Sequence, residues 1–141
     1  AGARVRLAVF DTNVIVSAGI RAAGPPARLV MDWVLEGQLQ LATCPAVIAE
    51  YRRVLARPKF HRHGFPPIWA EVLIQDSLQL QDPLAWPLAL PDPDDAVFLA
   101  LAERAGAVLV TGNSADYPAD RCARVVVMTP ADYLRALEAA P

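Results

Sequence analysis

Short apolar runs alternate along the chain with longer segments in which apolar residues recur at helical spacing. The runs at residues 5–10, 39–43, 107–110 and 124–128 predict four strands, because continuous apolar stretches between turn residues are typical of strands buried on both faces. Strands that alternate with helices favour a parallel sheet. We therefore expect an α/β fold, with a single domain over residues 1–141 whose central, mostly parallel sheet of four to five strands is covered by helices on both faces.

Five segments combine helical periodicity with a start or stop signal. The stretch between the third and the fourth is expected to be an extended connection broken by prolines. The five are the segment after the turn at residues 24–26 that ends at Gly37, the segment from Pro45 that ends at Pro58, residues 67–78, the segment from the acidic residues 92–95 to about Ala105, and a last helix that starts at Thr129 and Pro130.

Composition restricts the class of protein. A chain of 141 residues with 55% hydrophobic residues and a mean hydropathy of +0.29 is expected to fold, and its longest apolar run, residues 96–102, is too short for a membrane helix. The two cysteines are far apart and indicate neither a zinc cluster nor a disulfide framework. The N-terminal residues lack the apolar core of a secretory signal. We expect a compact cytoplasmic protein without membrane association.

The charge of the chain is unevenly distributed. Thirteen basic against 15 acidic residues give a net charge of -2, which argues against a uniformly basic nucleic-acid binder but permits a local basic patch. Such a patch lies in residues 52–62, with aromatic residues nearby that can stack on bases. The alternative is a solvated helix face and a loop, and His61 and His63 are interpreted as exposed loop residues. The candidate RNA-binding residues are Arg52, Arg53, Arg57, Lys59 and Arg62.

Three acidic residues occupy positions where a charge needs compensation. Asp11 ends the first predicted strand at the rim of the core, where an unpaired carboxylate is costly. Glu50 flanks the apolar stripe of its helix, and the alternative explanation for it is an ion pair with Arg53 or Arg57. Asp95 could be a helix-capping acid favoured by the macrodipole, but capping explains only one of the three acids clustered there.

The carboxyl ends of parallel strands meet at one edge of a sheet, so these acids are expected to gather. Their mutual repulsion is ordinarily relieved by a hard divalent cation with oxygen ligands, Mg²⁺ or Mn²⁺. No His or Cys lies near them in the pattern, which argues against a thiolate or imidazole site. A cation held by carboxylates can orient a phosphodiester and activate a water molecule. The residues thus predict metal-dependent phosphodiester hydrolysis.

Four segments together resemble the PIN domain, and specifically the VapC-like toxin ribonucleases of bacterial toxin–antitoxin pairs. Their order and spacing match over nearly the whole chain. The segments are residues 9–13 with Ser17, residues 45–55 with Glu50, residues 92–95 followed by Phe98, Leu99 and Ala102, and residues 110–113 with residues 116–118.

The resemblance implies a PIN-like α/β fold and an endoribonuclease that requires Mg²⁺ or Mn²⁺. It assigns the catalytic and metal-binding triad to Asp11, Glu50 and Asp95, with Asp11 and Asp95 as the firmest ligands and Glu50 positioning the attacking water. Asp94 is the nearest rival to Asp95. The resemblance also implies an RNA substrate, a cognate antitoxin protein as partner, and a homodimer or higher homo-oligomer.

A supporting polar shell is expected around the first carboxylate, formed by Thr12, Asn13 and Thr111. Asn113 departs from the family pattern, because many PIN domains carry a fourth acid two residues after the threonine. An asparagine removes one negative charge and should weaken a second metal, so one tightly held cation is expected. Asp116 is either a substitute for that acid or a turn residue.

Two other functions compete with the nuclease. Asn113 keeps open a catalytically weak PIN-fold module that binds RNA or protein without turnover. A phospho-receiver domain would need a lysine after a late strand, and the only lysine of the chain is Lys59.

Overall fold

The computed structural model describes residues 6–140, in which five strands form one parallel sheet. Their order is β3-β2-β1-β4-β5, and every neighbouring pair is parallel. The predicted α/β fold with a parallel sheet is confirmed, while residue 5, the predicted start of the first strand, lies outside the described residues. The strands are β1 (Arg6–Phe10), β2 (Leu39–Thr43), β3 (Leu78–Gln79), β4 (Val108–Val110) and β5 (Val127–Met128).

Six helices accompany the sheet in this part of the chain, and short 3₁₀ turns lie at residues 58–63, 93–95, 114–116 and 119–121. A π-helical segment, Leu29–Val34, directly extends the second helix. None of the helices between residues 6 and 140 combines the length and the apolar character needed to cross a bilayer. The helices are α1 (Thr12–Ile20), α2 (Pro25–Arg28), α3 (Pro45–Leu55), α4 (Ile68–Asp76), α5 (Ala96–Ala105) and α6 (Pro130–Ala139).

Strand β1 lies at the centre of the sheet because its sequence is apolar on both faces. Consecutive strand residues point to opposite faces, and Ala8, Val9 and Phe10 are all fully buried, so both faces are covered. β1 pairs with β2 on one side and with β4 on the other. The chain therefore leaves β1 in one direction and returns on the other side, which creates a topological switch point between β1 and β4.

The predicted end signals of the late helices are confirmed. The side chain of Asp92 accepts a hydrogen bond from the amide of Asp94, and that of Thr129 accepts one from the amide of Asp132. Gly106 ends α5 in the left-handed conformation, with φ 64°. These local interactions fix where α5 begins and ends, and α5 packs on β1, β2 and β4.

Two helical predictions need correction. Helix α1 was not predicted, because the β-branched residues of residues 12–16 followed by Gly19 give no amphipathic stripe. The predicted α-helix that ends at Gly37 is α-helical only over α2 and becomes π-helical from Leu29. There the amide of Leu35 donates to the carbonyl of Val30, five residues earlier, at 2.9 Å.

The remaining boundaries differ by a few residues. β4 begins at Val108 and β5 covers only Val127–Met128, shorter than the predicted 107–110 and 124–128. The helix expected over residues 67–78 is α4, which ends at Asp76. The expected connection after it contains β3, whose two exposed residues pair with the end of β2. A two-residue edge strand has no periodicity that a sequence could reveal.

The segment 58–65 packs against α1 through one close contact. Phe65 is buried, and a Cβ atom added to Gly19 of α1 would come within 2.5 Å of its ring. Phe60 in turn packs on Phe65, with 5.3 Å between ring centroids. The absence of a side chain at residue 19 therefore allows the segment 58–65, which carries the basic residues Lys59 and Arg62, to pack against α1.

Candidate metal and active site

The backbone at Asp11 is held at the switch point from two sides. The amide of Asp11 donates to the carbonyl of Val110, the last residue of β4, at 2.9 Å. The hydroxyl of Tyr51 on α3 donates to the carbonyl of Phe10, the residue before Asp11, at 2.5 Å. The carboxylate that ends β1 thus starts from a backbone tied to both β4 and α3.

The side chain of Asp11 is only 5% exposed and accepts two side-chain hydrogen bonds. Tyr117 donates to its Oδ2 atom at 2.7 Å, and Thr111 donates to the same atom at 3.1 Å. Burial raises the pKa of Asp11, and these two hydrogen bonds, with the nearby amides of Thr12 and Asn13, only partly offset that effect. The ionised carboxylate is therefore short of positive charge.

A polar shell connects the start of α1 with the loop after β4. Asn13 donates from Nδ2 to Thr111 Oγ1 at 3.3 Å and accepts at Oδ1 from the amide of Gly112 at 2.9 Å. The amide of Asn113 also donates to Thr111 Oγ1, at 3.1 Å. Thr111 accepts two hydrogen bonds and donates one to Asp11. The structure thus brings Asn13 and Thr111 of the predicted shell to Asp11.

Asp95 lies in the 3₁₀ turn directly before α5 and is half-buried. Burial is the largest cause that raises its pKa, and Asp11, Asp92, Asp116 and Asp94 add to it, so that the pKa rises to about 7. An ordinary aspartate pKa is 3.8. The carboxylates directly after β1, in the turn before α5 and in the loop after β4 are thus close enough to disfavour the ionisation of Asp95.

Glu50 lies on α3 and already has an ion-pair partner. Its Oε2 atom is 2.6 Å from Nη2 of Arg53, one turn along the helix. This is the ion pair that the sequence offered as the alternative explanation for Glu50. Pairing with Glu50 raises the pKa of Arg53, and Asp94 contributes to the same shift. Arg53 is therefore paired with Glu50 and also interacts with the charge of Asp94.

Asn113 occupies the position at which many PIN domains carry a fourth acid, and its side chain hydrogen-bonds to a different acid, Asp116. Its Nδ2 atom donates to Oδ2 of Asp116 at 2.9 Å, within the 3₁₀ turn that follows β4. Asp116 is half-buried and contributes to the raised pKa values of Asp95 and Tyr117. Asp116 is therefore both a turn residue and part of the acidic group.

The donor set is suited to a hard cation, although it is not a complete cage. Within residues 6–140, no three His, Cys, Asp or Glu side chains stand close enough together to hold a metal ion by themselves. Mg²⁺ usually takes one or two carboxylates and fills its other positions with water and substrate phosphate, so a set of three protein ligands is not required. In the same range, Thr12 Oγ1 next to Asp11 is the one buried side-chain oxygen without a partner.

The basic segment, residues 52–62, is partly neutralised by ion pairs. Arg52 makes two hydrogen bonds to Glu71 on α4, at 2.7 and 3.1 Å. Arg53 is engaged by Glu50, as described above. Two of the five candidate RNA-binding residues are therefore already paired with carboxylates.

The other three candidates lie further along the segment. Arg57 is half-buried, whereas the ammonium of Lys59 lies 5.1 Å from the centre of the Phe60 ring. Arg62 donates to the imidazole of His63 at 3.2 Å. His61 and His63 are exposed, as predicted, although residues 58–63 form a 3₁₀ turn.

Tyr117 is the residue at this site to which the sequence assigned no role. Its hydroxyl contacts Asp11 across 106 positions of the chain. The available signals are its place in residues 116–118, which belong to one of the segments that resemble the family, and its position directly after Asp116 in a loop that follows a buried strand. A propensity-based prediction assigns such a residue to packing.

The PIN domain family model matches residues 7–115, which is more than half of the chain. The chain belongs to the PIN domain family. As a PIN domain it shares its fold with solved structures of low sequence identity. One is VapBC2 from Rickettsia felis bound to a DNA fragment from their promoter, with 14% identity and a TM-score of 0.61 over 87% of this chain and 98% of that chain. Another is FitAB bound to the IR36 DNA fragment, with 19% identity and a TM-score of 0.55 over 87% of this chain and 94% of that chain. A comparison with curated proteins finds no match.

Proposed function

We propose that this PIN domain is a metal-dependent endoribonuclease that hydrolyses RNA phosphodiester bonds. The observation that carries the proposal is the electrostatic conflict among clustered carboxylates. Burial first, and then the charges of Asp11, Asp92, Asp116 and Asp94, raise the pKa of Asp95 to about 7. A divalent cation at these carboxylates would relieve the conflict, because it favours the ionised form of each.

The residues of the chain would divide the work as follows. Asp11 and Asp95 would hold the cation, and Thr111 would keep the Asp11 carboxylate oriented through its hydrogen bond. Glu50 would contribute to the metal site through water and orient the attacking water. For this, its ion pair with Arg53 would have to open. When bound, Mg²⁺ or Mn²⁺ would polarise the phosphate and lower the pKa of that water.

RNA would be held beside the acids by the unpaired part of the basic segment. Lys59 and Arg62 are exposed, and Arg57 lies just before them. Their attraction for the phosphate backbone would weaken as salt concentration rises. Arg52 and Arg53 would join them only when released from Glu71 and Glu50.

We further propose that the chain is the toxin component of a toxin–antitoxin pair and acts in the cytoplasm. The support is the shared fold with proteins whose structures are the VapBC2 and FitAB complexes. A cognate antitoxin would bind the chain and suppress RNA cleavage, and the chain would form a homodimer or a higher homo-oligomer. Co-expression with the product of a small neighbouring reading frame tests this, and an antitoxin should copurify and abolish cleavage.

Cleavage of single-stranded and structured RNA, with Mg²⁺ or Mn²⁺ and with EDTA, tests the nuclease. We expect cleavage only with the cation, and a loss of about 100-fold or more in Asp11→Asn and Asp95→Asn. Asp32→Asn is the matched control, since Asp32 is an exposed acid paired with Arg28 on the segment after α2. Undiminished cleavage in both site variants would refute the proposal.

A second candidate function is a catalytically weak module that binds RNA or protein. Two observations favour it: Asn113 replaces an acid, and residues 6–140 contain no ready-made set of three metal ligands. The same experiment separates the two functions. RNA binding at low salt without cleavage under either cation would support the binding module.

A further inference from the structure

The loop after β4 places the side chain of one aromatic residue, Tyr117, next to Asp11. The amide of Tyr117 donates to the carbonyl of Ser114 at 3.0 Å, which closes the 3₁₀ turn before it. The thiol of Cys122 lies 3.5 Å from the carbonyl of Tyr117, and the ring itself is only 4% exposed. The backbone of Tyr117 is therefore held by contacts within its own loop, and its side chain is buried.

Both side-chain hydrogen bonds to Asp11 end on the same oxygen atom, Oδ2. Tyr117 makes the shorter of the two, 2.7 Å against 3.1 Å for Thr111. Thr111 Oγ1 also accepts hydrogen bonds from Asn13 and Asn113. The hydroxyl of Tyr117 hydrogen-bonds to Asp11. Both side-chain donors therefore leave the other oxygen of Asp11, Oδ1, without a side-chain hydrogen bond in the described part of the chain.

We propose that Tyr117 is a positioning residue for metal binding: its hydroxyl holds Oδ2 of Asp11 so that Oδ1 faces the cation. The inference rests on the proposed function, because it names a residue that serves the same metal site. It goes beyond the site residues expected from the sequence, to which Tyr117 does not belong. Outer hydrogen bonds of this kind orient metal ligands, and their removal typically lowers metal affinity by about 10- to 100-fold.

The hydroxyl also suits this role electrostatically. The hydroxyl of Tyr117 is an uncharged donor that contacts a carboxylate. A neutral donor holds the carboxylate without repelling a cation. A lysine or an arginine at the same place would repel the cation.

The test is Mn²⁺ binding by the full chain, with free Mn²⁺ measured by electron paramagnetic resonance and without any substrate. We expect the dissociation constant of Tyr117→Phe to rise by about 10-fold or more. Tyr133→Phe is the matched control, because Tyr133 is also a buried tyrosine but lies on α6. The thermal midpoint of each metal-free variant shows whether the fold is intact.

The outcomes distinguish this inference from the proposed function. If Tyr117→Phe binds Mn²⁺ like the wild type while Asp11→Asn does not, the inference is wrong and the nuclease stands. If the wild type itself binds no Mn²⁺, both fall. If binding of Tyr117→Phe is weak but saturating Mn²⁺ restores RNA cleavage, the residue acts through the metal, as proposed.

A second measurement needs no Tyr117 variant to fold. The chain has three tyrosines, so ¹³C labelling of their Cζ atoms gives three signals, and Tyr51→Phe and Tyr133→Phe identify the third by elimination. We expect Mg²⁺ to shift the Tyr117 signal most and to leave that of Tyr133 in place. A Tyr117 signal that does not respond to Mg²⁺ would overturn the inference.

Discussion

Glu50 and Arg53 form an ion pair within one turn of α3, with 2.6 Å between Oε2 and Nη2. The pair is partly exposed, so we expect Arg53→Gln to change the free energy of unfolding only slightly. Its effect on cation binding should be larger. Removal of the Arg53 charge, which interacts with both Glu50 and Asp94, should lower the Mn²⁺ dissociation constant several-fold, as measured by titration calorimetry.

Arg52→Gln is the matched control for this variant. Arg52 is the neighbouring arginine on α3 and is also paired with a carboxylate, that of Glu71 on α4. Its removal should leave Mn²⁺ affinity unchanged. Equal effects of the two substitutions would mean that the charge of Arg53 has no special relation to the acidic group.

The raised pKa of Asp95 predicts an unusual dependence of stability on pH. Because the pKa is about 7 in the folded protein and 3.8 in a free aspartate, the folded state keeps a proton that the unfolded chain releases in this range. Stability of the metal-free protein should therefore fall as pH rises from about 4 through 7. Burial raises the pKa of Asp11 as well, which acts in the same direction. The thermal midpoint in EDTA at pH 5.5 and pH 8 measures the effect.

Two additions sharpen the pH experiment. Asp95→Asn should flatten the dependence, since the amide does not titrate. Mn²⁺ should bind more tightly at pH 8 than at pH 6, because a proton and the cation compete for the same carboxylates. A metal-free protein that gains stability between pH 5.5 and 8 would contradict this account.

Tyr51 supports the site through the backbone. Its hydroxyl is fully buried and donates to the carbonyl of Phe10 at 2.5 Å. Tyr51→Phe would leave that carbonyl without this partner, so we expect a loss of about 1–3 kcal/mol in the free energy of unfolding. Urea denaturation measures it, and Tyr133→Phe should cost less. An unchanged free energy of unfolding in Tyr51→Phe would mean that water or another donor replaces the hydroxyl.

Asn113→Asp would restore the acid that many PIN domains carry. The substitution removes the hydrogen bond from Nδ2 to Asp116 and places a second carboxylate beside it. We expect the metal-free protein to lose stability, and a second Mn²⁺ to bind, both by calorimetry. Asn113→Ala serves as the comparison, because it releases Asp116 without adding charge and should bind no second ion.

The basic segment gives a prediction about RNA. Lys59→Ala and Arg62→Ala should each weaken RNA binding several-fold at low salt and reduce its salt dependence, because both cations are exposed. Arg52→Ala should have little effect while Glu71 occupies that side chain. Fluorescence anisotropy with a labelled RNA at several salt concentrations measures all three. Equal losses would show that the ion pair opens readily.

The sequence could predict those features that depend on neighbouring residues. The strand β2, the helix α3 and the caps at Asp92 and Thr129 follow from periodicity and local hydrogen bonding, and the structure contains them. Helix α1 escaped prediction because its burial on several sides erases the amphipathic stripe. The π-helical turn at Leu35 differs from an α-helix by one residue of hydrogen-bond register, which no pattern of side chains records.

The candidate site shows the same division. Asp11 and Thr111 could be anticipated because the ends of parallel strands converge at a switch point. The contact of Tyr117 with Asp11 could not, since it depends on how a loop without periodicity folds back over the sheet. Likewise, only the coordinates reveal that Asn113 holds Asp116 rather than facing the acids by itself.

The contact between Phe65 and Gly19 links two functions that the sequence keeps apart. Helix α1 begins directly after Asp11, and near its other end the bare backbone of Gly19 receives the ring that anchors the basic segment. Helix α1 therefore connects the acidic site to the segment that carries Lys59 and Arg62. If the chain cleaves RNA as proposed, a bulkier residue 19 would displace Phe65 and the basic residues next to it, and the position of cleavage would change.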